Sequence, residues 1–169
     1  MALIQKKICL LGGFAVGKTS LIRQFTEGNF DDKYLSTIGV KISRKPLQRA
    51  DHTLNLLIWD LAGGDKFTKQ SANYLRGAVG AIIVCDLTRP DTLAYLSEYM
   101  EQMHAVNPNA AIVFACNKAD LITERAIGDV ELETAVSPTN TPYLLTSAKT
   151  GENVEAAFEL LADLIESEQ

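Results

Sequence analysis

The sequence predicts an α/β domain: a six-stranded, mostly parallel sheet with one antiparallel edge strand and helices on both faces. Strand-sized and helix-sized segments alternate along its 169 residues, with no repeat, low-complexity tract or linker. The runs Ala81–Val84 and Ala111–Ala115 are apolar at successive positions, as strands covered by helices on both faces require. Between Gly12 and Thr19 the chain reads Gly-Gly-Phe-Ala-Val-Gly-Lys-Thr, a complete G-x-x-x-x-G-K-[ST] loop lying between an apolar run and a helix start. Strand, glycine-rich loop and helix in that order belong to doubly wound sheets.

Leu3–Leu11 is the first expected strand, and the residues from Thr19 to Phe25 open the first helix, which Gly28 stops. Val40–Gln48 and Thr53–Asp60 are the next two strands. The Asp51-His52 connection is too short for a crossover helix, so they should form an antiparallel hairpin. Val79–Asp86 follows, and Pro90-Asp91 marks the start of a helix whose Leu93, Leu96, Met100 and Met103 recur on one face. Ala110–Cys116 and Tyr143–Leu145 complete the sheet, with a weakly patterned helix between Thr123 and Val136. In the last helix Val154, Phe158, Leu161 and Ile165 form one stripe. Both stripes read as core.

Composition narrows the function classes. Residues 1–169 are expected to form a single domain, since 47% hydrophobic and 22% charged residues suit a packed chain of this size. A net charge of −5 argues against a nucleic-acid footprint. The longest apolar run, Ala78 to Cys85, is strand-sized and far short of a bilayer span. Cys9, Cys85 and Cys116 are an odd set without metal-ligand spacing, each inside an apolar segment, which fits a reducing, cytoplasmic setting. His52 and His104 add no metal constellation. Ala2 excludes N-myristoylation, and Glu-Ser-Glu-Gln at the end has no cysteine to prenylate. The expectation is a monomer without a direct membrane anchor in this chain.

The motifs supply the chemistry. Glycines Gly12 and Gly17 let the loop curl so that N–H groups of Gly12, Ala15, Val16, Gly17, Lys18, Thr19 and Ser20 converge on phosphate oxygens, helped by the helix dipole. Lys18 would bridge the outer phosphates, and the Thr19 hydroxyl would sit on Mg²⁺. Asp60, ending a strand, can hold Mg²⁺ through water, and Gly63 in Asp60-Leu61-Ala62-Gly63 can bring its N–H to the terminal phosphate. In Asn117-Lys118-Ala119-Asp120 the Asp120 carboxylate can accept from both N1–H and the 2-amino group of guanine, a pairing adenine lacks. Asn117 would brace that loop, the Lys118 stem would cover the base, and in Ser147-Ala148-Lys149 the Ala148 N–H would bond guanine O6.

With these strings in order after successive strands, the chain resembles a small GTPase of the Ras superfamily over essentially its whole length. It is most similar to the Rab branch, through Thr37-Ile38-Gly39-Val40, Leu57-Ile58-Trp59-Asp60, Tyr74-Leu75-Arg76-Gly77-Ala78 and Cys85-Asp86-Leu87-Thr88. The resemblance implies a switch cycling between GTP and GDP with Mg²⁺, and Thr37 as the first-switch threonine on metal and terminal phosphate. Lys18, Thr37 and Gly63 would then act in hydrolysis, Phe30 would pack on the base, and Tyr34 would close over the phosphates. Read from the residues alone, without the resemblance, Phe30 and Tyr34 are better taken as loop anchors without ligand contact. Switch one would span about Phe30–Val40 and switch two about Leu61–Gly77, the surfaces for an effector, an exchange factor and an activating protein. Trp59 is either core or, with Tyr74 and Ile42, a partner-reading surface; Rab proteins carry an aromatic where Ile42 stands.

Two positions depart from the family. Gly64, then Asp65, stands where the water-orienting glutamine follows the D-x-x-G glycine, and Phe14 stands at the third position of the phosphate loop. Glycine cannot orient a water, and a phenyl ring there would crowd the glutamine and an activator's arginine. The alternatives are that Phe14 folds onto switch two, that Gly64 eases switch motion, or that Asp65 or Lys66 substitutes. The expected outcome is slow hydrolysis; the second reading is a GTP-loaded binding module that hardly turns over. The missing prenylation tail fits either a truncated chain or a protein located by its partners.

Overall fold

Alternation of side chains along fully apolar strands demands cover on both sides, and the computed structural model, which describes residues 2–26, 33–35, 40–61 and 69–167, supplies it. Strands β1 (Ala2–Gly12), β2 (Lys33–Leu35), β3 (Val40–Gln48), β4 (His52–Leu61), β5 (Ala78–Asp86), β6 (Ala111–Asn117) and β7 (Tyr143–Leu145) form one sheet in the order β2-β3-β4-β1-β5-β6-β7. From β4 to β7 the pairings are parallel, whereas β3 runs antiparallel to β4. All six expected strands are present. The added β2 pairs antiparallel with β3 at the sheet edge.

Helices α1 (Lys18–Thr26) and α5 (Val154–Ser167) cover one face, packing on Ile8, Leu10, Ile82, Val84, Val113 and Ala115. The other face turns Cys9, Leu11, Ile83, Cys85, Phe114 and Cys116 toward α2 (Lys69–Leu75), α3 (Asp91–Val106) and α4 (Asp129–Val136). Phe25 of α1 stacks on Phe158 of α5 with ring centroids 4.0 Å apart. Gly80 lets α5 approach the sheet, since a Cβ there would stand 3.0 Å from Ile165. The expected core stripes hold: Leu96 and Met103 are buried, Leu93 and Met100 pack partly buried against the same cluster, and the four α5 residues are all buried. The three cysteines are buried and unbridged, and burial pushes the Cys9 thiol up to about 12.

Several strand and helix ends shift by a residue, and two boundary shifts have a clear physical cause. The hairpin turn is Arg49 to Asp51, closed by Arg49 N–H donating to the His52 carbonyl at 2.8 Å, so β4 starts at His52. Helix α4 begins at Asp129, because the preceding residues fold back: the N–H groups of Ala126 and Ile127 both donate to the Leu87 carbonyl. Ile127 is thereby buried in a turn, and Glu131 accepts from the Gly128 N–H at 3.1 Å to cap the helix. Gly28, the expected stop of α1, lies outside the described residues; α1 ends at Thr26.

Register positions the site. Asp60 lies opposite Leu10, Gly12 opposite Val84, and Asp86 opposite Asn117, so the carboxyl ends of β1, β4, β5 and β6 share one edge. There the chain leaves β1 toward β3 on one side and leaves β5 toward β6 on the other, the point at which open α/β sheets bind ligands.

Candidate functional site

The loop from Gly12 to Gly17 is polarised residue by residue. Lys18 Nζ donates to the carbonyls of Gly12 (3.2 Å) and Gly13 (3.1 Å). Arg89 Nη1 donates to Phe14 O at 2.6 Å, Lys118 Nζ to Ala15 O at 3.1 Å, and Asn117 Nδ2 to Val16 O at 3.0 Å. The Gly17 carbonyl accepts the first helical bond from Leu21 N–H. Every carbonyl of the loop is therefore engaged, while the N–H groups of residues 13 to 17 have no partner among the described residues. A trans peptide sets its N–H opposite its C=O, so each carbonyl fixed by a partner also fixes the direction of the following N–H. This is an anion cradle at a helix N-terminus. Glycine is required at Gly12 (φ +154°), where a Cβ would meet the Val84 carbonyl at 2.7 Å, and at Gly17 (φ +107°), where it would meet Asn117 Nδ2 at 2.2 Å.

The Lys18 side chain is buried, and desolvation lowers its pKa against the raising influence of Asp60. Two of its three ammonium protons are used on the loop, leaving one for an anion. Beside it Thr19 Oγ1 donates to Asp60 Oδ2 at 2.5 Å. Burial raises the Asp60 pKa, opposed by the Thr19 bond and by the Lys18 and Lys41 charges. A buried carboxylate and a hydroxyl side by side are hard oxygen donors, the set that suits Mg²⁺.

The loops after β6 and β7 close on the same cradle. Asn117 is buried, and its Oδ1 accepts from Thr146 Oγ1 (3.1 Å) and from the Ala148 N–H (3.2 Å). Ser147 Oγ donates to Asp120 Oδ1 at 2.8 Å, which leaves Asp120 Oδ2 without a partner among the described residues and able to accept from a base edge. Lys118 adopts φ +70° and pairs with the buried Asp86 at 2.8 Å. The Asp86 pKa is lowered: burial raises it, but Lys118 and Thr88 outweigh that. Ser20 and Lys149 are exposed, with no side-chain hydrogen bond among the described residues.

Thus Gly12, Ala15, Val16, Gly17, Lys18, Thr19 and Asp60 meet Asn117, Lys118, Asp120, Ser147 and Ala148 at one sheet edge. Phe30, Thr37, Gly63, Gly64, Asp65 and Lys66 lie outside the described residues, and Tyr34 lies in β2. Sequence reasoning missed Asp86, Arg89 and Thr146. An Asp closing the expected strand Val79–Asp86, as Asp60 closes the expected strand before it, was the available signal for the first. For Arg89 there was none.

The Ras family model matches residues 7–167, nearly the whole chain. The chain is a member of the Ras family. A Ras-family domain is a GTP-binding switch with GTPase chemistry. On β4 of this Ras-family domain, Trp59 is half-buried against the core below α2 and α3, with Lys7 Nζ 3.7 Å from its ring centroid. Ile42 faces Trp59 across the β3–β4 ladder.

Proposed function

We propose that this Ras-family protein is a slow, Mg²⁺-dependent GTP switch selective for guanine. The cradle of unpartnered N–H groups binds the phosphates, and Asp120 selects the base through the carboxylate oxygen that Ser147 leaves available. Thr19 and Asp60 would hold the metal, joined in the GTP state by Thr37. Bound there, Mg²⁺ supplies positive charge to the outer phosphate oxygens. Lys18 neutralises charge on the transferring group, the Gly63 N–H binds it, and water is the nucleophile. Gly64 provides no side chain to orient that water, so turnover is slow. The observation that carries the reading is the loop with every carbonyl engaged and the N–H groups of residues 13 to 17 left without a partner among the described residues.

Effector, exchange factor and activating protein would dock on the switch regions of a cytoplasmic monomer. The half-buried Trp59 supports a Rab-like surface, and Ile42, standing where Rab proteins carry an aromatic, would make it read partners differently. Phe14, 71% exposed at the mouth of the cradle, favours a second reading in which the protein stays GTP-loaded. Nucleotide extracted from the freshly purified protein separates the two: mostly GDP supports turnover, and mostly GTP supports the loaded module.

A further inference from the structure

Arg89 lies in the turn between β5 and α3, outside every motif used above. Its Nη1 bonds the Phe14 carbonyl at 2.6 Å, and its Nη2 stands 3.7 Å from Asp91 in the first turn of α3. Among the peptides of the loop, the one joining Phe14 to Ala15 has the strongest reason to turn over. Ala15 sits at φ +60°, a left-handed conformation in which its Cβ crowds the backbone. Rotating the Phe14–Ala15 peptide by half a turn would relieve that φ, but it would aim the Phe14 carbonyl into the cradle and the Ala15 N–H out. The exposed Phe14 ring does little to oppose such a flip. Lys118 holds the next carbonyl, that of Ala15, and not this one.

We propose that Arg89 is a positioning residue for phosphate binding, its guanidinium locking the Phe14–Ala15 peptide so that the Ala15 N–H faces the anion. The proposal rests on the nucleotide-switch reading, and the guanidinium acts through the peptide, without touching phosphate. A charge-assisted bond of this length is strong enough to hold the less favoured backbone state.

The test compares unmodified protein with Arg89→Ala, Arg89→Lys and Asp91→Asn. Two quantities are measured: the GDP dissociation rate, and the ¹H–¹⁵N resonance of the Ala15 amide with GDP or inorganic pyrophosphate as the anion. Arg89→Ala should release GDP about tenfold faster, as loss of one such bond implies. It should also move the Ala15 amide while leaving those of Gly17 and Asn117 in place. Arg89→Lys should recover part of both effects, and Asp91→Asn should change neither. Unchanged GDP release with an unmoved Ala15 amide in Arg89→Ala overturns the proposal. So does an equal effect from Asp91→Asn, which would mean that Arg89 merely tethers α3. If the unmodified protein binds pyrophosphate but no GDP, the guanine reading fails separately, and the Ala15 amide in the pyrophosphate complex still decides the role of Arg89.

Discussion

Asn117 Nδ2 donates to the Val16 carbonyl at 3.0 Å, so a residue at the end of β6 holds the phosphate loop that follows β1. Its Oδ1 at the same time receives Thr146 and the Ala148 N–H. The loops proposed to read the base and to bind phosphate are therefore one hydrogen-bonded unit built around a single buried carboxamide. Asn117→Ala should weaken GDP and GTP alike, by about 10–100-fold, since it strands polar partners in a buried position. Stopped-flow dissociation of both nucleotides checks this; loss confined to one of them would contradict it.

Base selectivity should follow Asp120. Replacing its carboxylate by an amide, Asp120→Asn, should lower GTP affinity by about tenfold or more and raise affinity for xanthine nucleotide, whose 2-oxo group accepts where guanine donates. Competition among GTP, ATP and XTP measures it. Comparable binding of ATP and GTP by the unmodified protein would remove the base assignment.

The metal ligands should separate by nucleotide state. Thr19→Asn should weaken GTP more than GDP, and Thr37→Ala should weaken GTP while sparing GDP, because its expected role is on the terminal phosphate. Titration of Mg²⁺ against each loaded form reads this out. Equal loss of both nucleotides in Thr37→Ala contradicts a role in sensing that phosphate.

Far from the site, a cluster of charges ties the β3–β4 turn to α5. Arg49 reaches Glu166 at 2.7 Å and both Glu159 and Asp163 at 3.0 Å, while His52 bridges Asp51 and Glu166. Arg49→Met should cost about 1–2 kcal/mol, between the surface and buried limits, because three carboxylates lose their shared cation. Hydrogen bonds to Asp51 and then Glu166 raise the His52 pKa above its ordinary value of 6.5. Stability from this group is thus complete below about pH 6.5 and fades as pH climbs through the raised folded value. Denaturation midpoints measured across that window should fall in the unmodified protein, and His52→Gln should flatten the decline. A slope identical in His52→Gln would assign the pH dependence elsewhere.

The sheet was legible because its central strands are apolar at successive positions, a pattern that few other elements share. Strand β2 was not, since Lys33-Tyr34-Leu35 pairs with β3 alone and is too short to show a period. The start of α4 was misplaced because Ile127 is buried by a turn bonded to Leu87, which periodicity reads as helix. Site motifs were legible wherever ligand chemistry dictates residue type, as at Lys18, Asp60 and Asp120. Arg89 acts on a backbone carbonyl, and any donor in that turn would look the same in sequence. Its place emerges only once the β5–α3 turn closes on the phosphate loop.

The central claim is a guanine switch that binds normally and hydrolyses slowly, with Gly64 and Phe14 as the cause. Single-turnover hydrolysis of bound GTP tests it most directly, on the unmodified protein, Gly64→Gln, Phe14→Gly and the paired change. The unmodified rate should fall below the roughly 3–5 × 10⁻⁴ s⁻¹ of Ras. The paired change should exceed the product of the single effects, because both side chains compete for one space. A fast unmodified protein, slowed by Asp65→Ala, would contradict the account and place the catalytic group at Asp65.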